Sequence, residues 1–473
     1  MLFNSFDFIL FFTCVLALQW LLPHRPRNLF LLMASYFFYA CWDWRFLVLI
    51  AISTIVDYFC GAAIERTTNI SRQKRLVALS MVSNLGILGF FKYVNFFVDS
   101  AHNLLAVVGV NSASWRLEIV LPVGISFYTF QTMSYTIDIY RGETRPARSF
   151  TDFALFVSFF PQLVAGPIER AKNLLPQMTR KPLVTGTMMR VGLWLVLWGF
   201  FKKLVIADNM APIVDQAFDN YQSLSGVEVI VALYAFAFQI YADFSGYTDI
   251  ARGIASMMGY QLMLNFRLPY FATNPPEFWR RWHVSLSTWL RDYLYIPLGG
   301  NRKGPLRAYI NLILTMALGG LWHGAAWNYL IWGAYHGGLL VLHRLSLPLL
   351  HRLMPGSMVL QRAWWLVRLV SFFHLICLGW LVFRAQSVDQ ILTMFGALWQ
   401  WPVISEQAVR WGWQVLLLCS PLMLMQVLQG LSGDTNVVLR LSGPVRALAY
   451  ATIIVMLLGL GAVGGREFIY FQF

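Results

Sequence analysis

Charge is what this chain has least of. Only 12% of its 473 residues are Asp, Glu, Lys or Arg, about half the share in a soluble domain. Acidic residues are the scarcer sign, at 22 against 36 basic, and none falls between Asp292 and Asp389. Catalytic signatures are missing too. No His-x-x-x-His, His-Glu-x-x-His or Cys/His cluster occurs, which argues against a tight metal centre. No Gly-x-x-x-x-Gly-Lys loop supports a nucleotide motor, and no Gly-x-Ser-x-Gly elbow supports an acyl-serine. The cysteines Cys14, Cys41, Cys60, Cys377 and Cys419 are scattered, mostly within apolar runs, and read as packing residues rather than a disulfide framework. Fixed-period repeats and low-complexity tracts are absent as well.

What remains is apolar. Hydrophobic residues make up 58% of the chain and aromatics 16%, with a mean hydropathy of +0.58. A soluble core does not need this much apolar surface, and the runs leave room for roughly a dozen helices of about 20 residues. The expectation is an all-α polytopic integral membrane protein, residues 1–473 forming one transmembrane domain. The net charge of +14 comes from short clusters between apolar runs, the mark of cytoplasmic loops rather than of nucleic-acid binding.

Residues 8–22 have no basic residue before them and Pro23-His24-Arg25-Pro26-Arg27 after, so they read as a first span with its N-terminus outside, not a secretory signal. Runs 29–42 and 46–61 follow, then Arg66, Arg72, Lys74 and Arg75 on the cytoplasmic side. Residues 76–91 cross outward and 121–140 return to Arg141, Arg145 and Arg148. The piece 104–110 is too brief to span and reads as interfacial or re-entrant. Residues 150–164 dip in without crossing, ahead of the basic stretch Arg170, Lys172, Arg180, Lys181 and Arg190. Run 191–206, which carries Lys202 and Lys203, goes out, and 227–244 comes back, with Asp208, Asp215 and Asp219 between them. Runs 366–383, 415–428 and 447–463 are late spans. Arg302, Lys303, Arg307, Arg344, Arg352, Arg362, Arg368 and Arg384 form an acid-free basic mouth suited to anionic lipid headgroups or the phosphates of a nucleotide-bearing donor.

The residues able to carry chemistry centre on 278–323. A histidine in apolar sequence has to find hydrogen-bond partners, line a wet cavity or do chemistry. His283 follows Asn274-Pro275-Pro276-Glu277, a capping sequence that predicts a helix from Pro275. That helix, about 18 residues long, would put Trp279, His283, Leu286, Leu290 and Tyr293 on one face, in the interface or lining a cavity. His323 ends the apolar run 310–321 among Gly319, Gly320, Gly324, Ala325 and Ala326, small residues that allow close approach. Asp243 and Asp249 are carboxylates in a membrane segment. They suit a structural or histidine-orienting role, and Asp249 can pair with Arg252 at i+3.

Several stretches together resemble the membrane-bound O-acyltransferase family, in its bacterial polysaccharide branch. They are Leu-Pro-Val-Gly-Ile-Ser-Phe-Tyr-Thr-Phe-Gln (121–131), Tyr-Thr-Ile-Asp-Ile-Tyr-Arg-Gly (135–142), Phe-Pro-Gln-Leu-Val-Ala-Gly-Pro-Ile-Glu-Arg (160–170), 238–253, 278–301, Leu-Trp-His-Gly (321–324) and the closing Phe-Ile-Tyr-Phe-Gln-Phe (468–473). The resemblance covers essentially the whole chain. It implies a bundle of roughly 11–13 helices around a central funnel or tunnel, with interfacial and re-entrant helices. His323 corresponds to the family's invariant histidine and His283 to its second active-site position. Trp282 and Trp322 then support the site, and Arg280, Arg281 and Arg302 are donor-phosphate candidates or interface anchors. The resemblance implies acetyl transfer from a cytoplasmic thioester such as acetyl-CoA, with no tightly bound cofactor. The acetyl group would pass toward an extracytoplasmic polysaccharide, alginate, cellulose or another, with periplasmic partner proteins and a synthesis complex, in a bacterial inner membrane. D-alanyl transfer to teichoic acid, a proton-coupled transporter and a non-catalytic scaffold are the competing readings.

Overall fold

The computed structural model describes residues 1, 3–110, 115–164, 166–462 and 466–469. Ala165, Val463 and the closing residues 470–473, which belong to expected motifs or spans, lie outside the described residues. Among those described there is helix and no strand. The chain is an all-α, multi-pass membrane protein: among the described residues six helical stretches are long and apolar enough to cross a bilayer, namely His24–Arg66, Ile70–Val107, Gly226–Met257, Met358–Arg384, Glu406–Ser432 and Gly443–Leu460.

Side-chain caps set where apolar runs become helices. Ser5 Oγ accepts from Phe8 N at 3.2 Å, Asn69 Oδ1 from Arg72 N at 3.2 Å and Ser405 Oγ from Ala408 N at 3.0 Å, each filling an otherwise open first-turn donor. One expected element needs correction here. Residues 104–107 are not a separate interfacial piece: they finish the helix Val94–Val107, which continues Ile70–Leu88 through the π-helical turn Gly89–Tyr93. The polar residues that mimic a break are satisfied from outside the helix, since Asn95 Nδ2 donates to Leu117 O at 2.9 Å and Asp99 pairs with Arg116. Trp327–Arg352, which the hydropathy runs did not reveal, is a 26-residue helix.

The chain divides into two compact units, Met1–Leu193 with Ala251–Met263, and Trp194–Ile250 with Leu264–Phe473. In the first, Phe8, Phe38 and Phe160 pack ring on ring at 5.6–6.4 Å. Asp57, fully buried, ties three helices together: Asn84 Nδ2 donates to it at 2.8 Å, Thr136 Oγ1 at 3.2 Å, and Ser80 Oγ donates as well.

The second unit is built on close backbone approach. Pro305–His323 and Trp327–Arg352 form a hairpin in which a Cβ on Gly320 would sit 2.1 Å from Tyr329 O, and one on Gly333 2.2 Å from Met316 O. Small residues are what let such helices touch. Likewise a Cβ on Gly199 would sit 2.6 Å from Gly246 O. That contact brings the π-helical segment Phe201–Ala207 alongside the carboxylates of Gly226–Met257.

Candidate active site

His323 is the last residue of its helix, so the hairpin that draws Gly320 onto Tyr329 also fixes the imidazole at the bend. It is 3% exposed. Trp332 stands perpendicular to it at 5.1 Å and Phe383 lies at 5.6 Å, between ring centroids.

His283 is held differently from the expected mid-helix position. Asn274 does cap a helix, its Oδ1 accepting from Glu277 N at 2.9 Å, and Glu277 Oε2 reaches back to Thr273 N at 2.9 Å. The helix then stops after one turn, at Pro275–Trp279. It restarts at Val284–Leu290 and passes into the π-helical Arg291–Tyr295. His283 sits at the break with φ +41°, a left-handed conformation that few side chains adopt without tertiary support. The support is the segment 265–267: Val284 N donates to Asn265 O at 2.9 Å, Arg267 N to Arg281 O at 2.9 Å, and Ser285 Oγ to Asn265 Oδ1 at 2.6 Å. These bonds replace the intrahelical ones that a continuous helix would have made.

The break aims the two histidines at each other. Their ring centroids are 6.2 Å apart with planes at 50°. Phe244 packs on His283 at 4.7 Å and Trp322 at 5.8 Å. Trp282 forms the floor, 5.0 Å from Phe266 and 4.9 Å from Trp380. Burial pushes the His283 imidazole down to about 3, so this ring stays neutral near pH 7.

Beyond the bend lies a charged cavity of about 450 Å³, lined among others by Lys203, Asp208, Gln239, Asp243, Tyr329 and Arg384. The ring of Tyr329 is 5.0 Å from Phe383, and Phe383 in turn touches His323, so two aromatic rings connect cavity and imidazole. Lys203 Nζ lies 2.9 Å from both Asp208 and Asp243, all three nearly devoid of solvent. Asp215 holds Arg384 at 3.1 Å and Arg466 at 2.5 Å.

The model of the MBOAT, membrane-bound O-acyltransferase family, matches residues 144–384, a stretch containing both histidines and the Lys203–Asp243 pair. The chain is 44% identical over 402 residues to a probable alginate O-acetylase AlgI of Azotobacter vinelandii, covering 84% of this chain and 78% of that one. The chain belongs to the membrane-bound O-acyltransferase family. It is thereby an acyltransferase. A peptidoglycan O-acetyltransferase of Helicobacter pylori is 38% identical over 399 residues, 78% of this chain and 73% of its own length. A teichoic acid D-alanyltransferase of Bacillus subtilis is 27% identical over 277 residues, 56% and 69% respectively.

Other residues singled out from the sequence take varied places in this acyltransferase. Asp243 is bound by Lys203 and by Ile469 N at 2.7 Å, and Asp249 by Lys202 at 2.6 Å. Asp243 thus anchors the helix whose next residue, Phe244, packs on His283. Arg281 is committed to Glu277 at 2.7 Å, Arg280 is exposed with its Nε on Pro276 O at 3.1 Å, and Arg302 is exposed. Lys203 and His336 stand in no motif that assigns them a role. A lysine inside an apolar run was the available signal for the first. For the second it was a histidine before two glycines: His336 is 1% exposed, 4.8 Å from Trp332 and 5.2 Å from Trp279.

Proposed function

We propose that this protein is an O-acetyltransferase of a bacterial inner membrane that takes acetyl from a cytoplasmic thioester, such as acetyl-CoA, and passes it toward an extracytoplasmic polysaccharide. The observation that carries the chemistry is the opposed pair His283 and His323, enclosed in aromatic rings at the bend of a helical hairpin. In the step we envisage, the acceptor hydroxyl oxygen bonds to the thioester carbonyl carbon while His323 takes the hydroxyl proton. The tetrahedral intermediate collapses, the thiolate leaves and the imidazolium returns the proton to sulfur. A positioned base of this kind contributes about 10²–10⁴-fold. Neutral His283 orients the acceptor or steadies the developing charge, and the dry aromatic walls strengthen both contacts.

The acceptor enters through the cavity beyond Phe383 and Tyr329. Gln239 Oε1, which has no hydrogen-bond partner among the described residues, and the Asp208 carboxylate are acceptors that suit a hydroxyl-bearing molecule. Arg280 and Arg302 are left to meet donor phosphates. Acetyl is preferred to D-alanyl because the relatives named for acetylation align over 78–84% of the chain at 38–44% identity, against 56% at 27%. Alginate, cellulose and other exopolysaccharides fit this reading equally, with periplasmic partner proteins completing delivery. The test is acetate released by mild base from polymer of cells expressing wild type or His323→Ala, with membrane levels matched. Loss of acetate supports the reading, and unchanged acetate ends it in favour of a transporter or scaffold.

A further inference from the structure

In the first compact unit, a cavity of about 310 Å³ is lined by Gln19, Trp20, Arg27, Lys181, Pro182, Val184 and Met258. Two of its polar residues are buried without adequate partners. Gln19 is 2% exposed, yet neither atom of its amide has a hydrogen-bond partner among the described residues. Arg27 is 3% exposed and makes no ion pair there. One of its Nη atoms contacts His24 Nδ1 at 3.0 Å, Asn28 Oδ1 at 3.1 Å and Arg180 O at 3.3 Å, while Nε has no partner. The carboxylate in range, Asp152, accepts instead from Asn28 Nδ2 at 2.8 Å. A buried guanidinium with no direct ion pair, lining the same cavity as an unsatisfied amide, is costly unless something else completes the site.

The remaining walls say what that is. Lys181 adds a second cation and no lining residue is acidic. Trp20, Pro182, Val184 and Met258 make the other side apolar. Trp20 and its neighbours Leu18 and Leu21 are exposed at the end of the helix Phe6–Leu21, as an interfacial aromatic and lipid-facing residues should be. Arg25, Arg27, Arg180 and Lys181 mark this end as cytoplasmic by the positive-inside pattern.

We propose that this cavity binds the phosphodiester of an anionic phospholipid from the cytoplasmic leaflet, with Arg27, Lys181 and the Gln19 amide donating to phosphate oxygens and the acyl chains running along Leu18 and Leu21. The site is independent of the acyl-transfer chemistry.

The test uses delipidated full-length protein in neutral detergent. Thermal melting and native mass spectrometry follow additions of phosphatidylglycerol, phosphatidylcholine or inorganic phosphate. Phosphatidylglycerol should bind and stabilise, phosphatidylcholine, whose phosphodiester carries a choline cation that Arg27 and Lys181 repel, should do so at least about tenfold more weakly, and inorganic phosphate, which lacks the acyl chains, should not substitute. Lys181→Gln, at an exposed position, and Gln19→Leu/Lys181→Gln should erase the preference while melting like wild type without lipid. Arg27→Gln should do the same, but it also removes the bond to Arg180 O, so the other variants decide if it does not fold. Equal binding of the two lipids, equal stabilisation by inorganic phosphate, or a preference surviving in Lys181→Gln and the double variant would each overturn the proposal.

Discussion

His283 and His323 are 40 positions apart in the chain and 6.2 Å apart between ring centroids. One is buried at a broken helix and the other at the tip of a hairpin, so each can be altered without moving the element that carries the other. We expect His323→Gln to lower turnover by about 10²–10⁴-fold with the protein still inserted. His283→Gln, which keeps a hydrogen-bonding group, should cost less than His283→Ala. Acetylation assays at matched membrane levels check this ordering, and equal losses in all three variants would mean that the pair acts only structurally.

The Lys203 ammonium lies between two buried carboxylates, Asp208 and Asp243, at 2.9 Å from each. Removing one partner of a buried ion pair costs about 3–5 kcal/mol, while removing charges together costs far less. Lys203→Met strands two carboxylates and is expected to reduce membrane levels and melting temperature more than Asp243→Asn does. Lys203→Met/Asp243→Asn should recover part of the loss. A double variant worse than Lys203→Met would contradict the pairing.

Gly333 has no room for any side chain, because a Cβ would meet Met316 O at 2.2 Å. Gly333→Val should therefore push the hairpin apart and with it the His323 bend. The expected result is loss of both acetylation and detergent stability. Gly338→Val, further along the same helix and open around its Cβ, should be tolerated far better, and comparable damage from both would refute the close-packing account.

Glu169 lies outside the six spans, and burial, working against Met263 N–H, Arg252 and Arg170, pushes its carboxyl from 4.5 up to about 8. The folded state then holds a proton that the unfolded chain releases above its ordinary value. Stability from this group is full below pH 4.5, falls as pH rises toward 8 and is flat above. Glu169→Gln cannot titrate, so its melting temperature should fall less than wild type's between pH 5 and 8. Parallel curves for the two proteins would show that Glu169 is ionised throughout.

Much of the fold was legible because a bilayer tolerates few solutions: long apolar runs with local caps at Ser5, Asn69 and Ser405 can only be helices. The misreadings have specific causes. Asn95 and Asp99 imitated a break because their partners, Leu117 and Arg116, lie some twenty residues away. Trp327–Arg352 was hidden because His336, His343 and Arg344 interrupt its hydropathy. The helix through His283 reads as unbroken because Trp279, Leu286 and Leu290 keep a helical period across the break.

The sequence by itself determined the membrane class, the all-helical architecture and the two histidines as the residues to explain. It could do so because hydropathy, capping and backbone hydrogen bonding are local, and each stretch carries its own answer. Tertiary structure alone decided that His283 faces His323, that Lys203 rather than a histidine takes Asp243, and that the chain reverses at His323. Those outcomes rest on the bonds to Asn265, on contact between glycine-lined backbones and on charge pairing between distant helices, none of which leaves a period or a spacing in the chain.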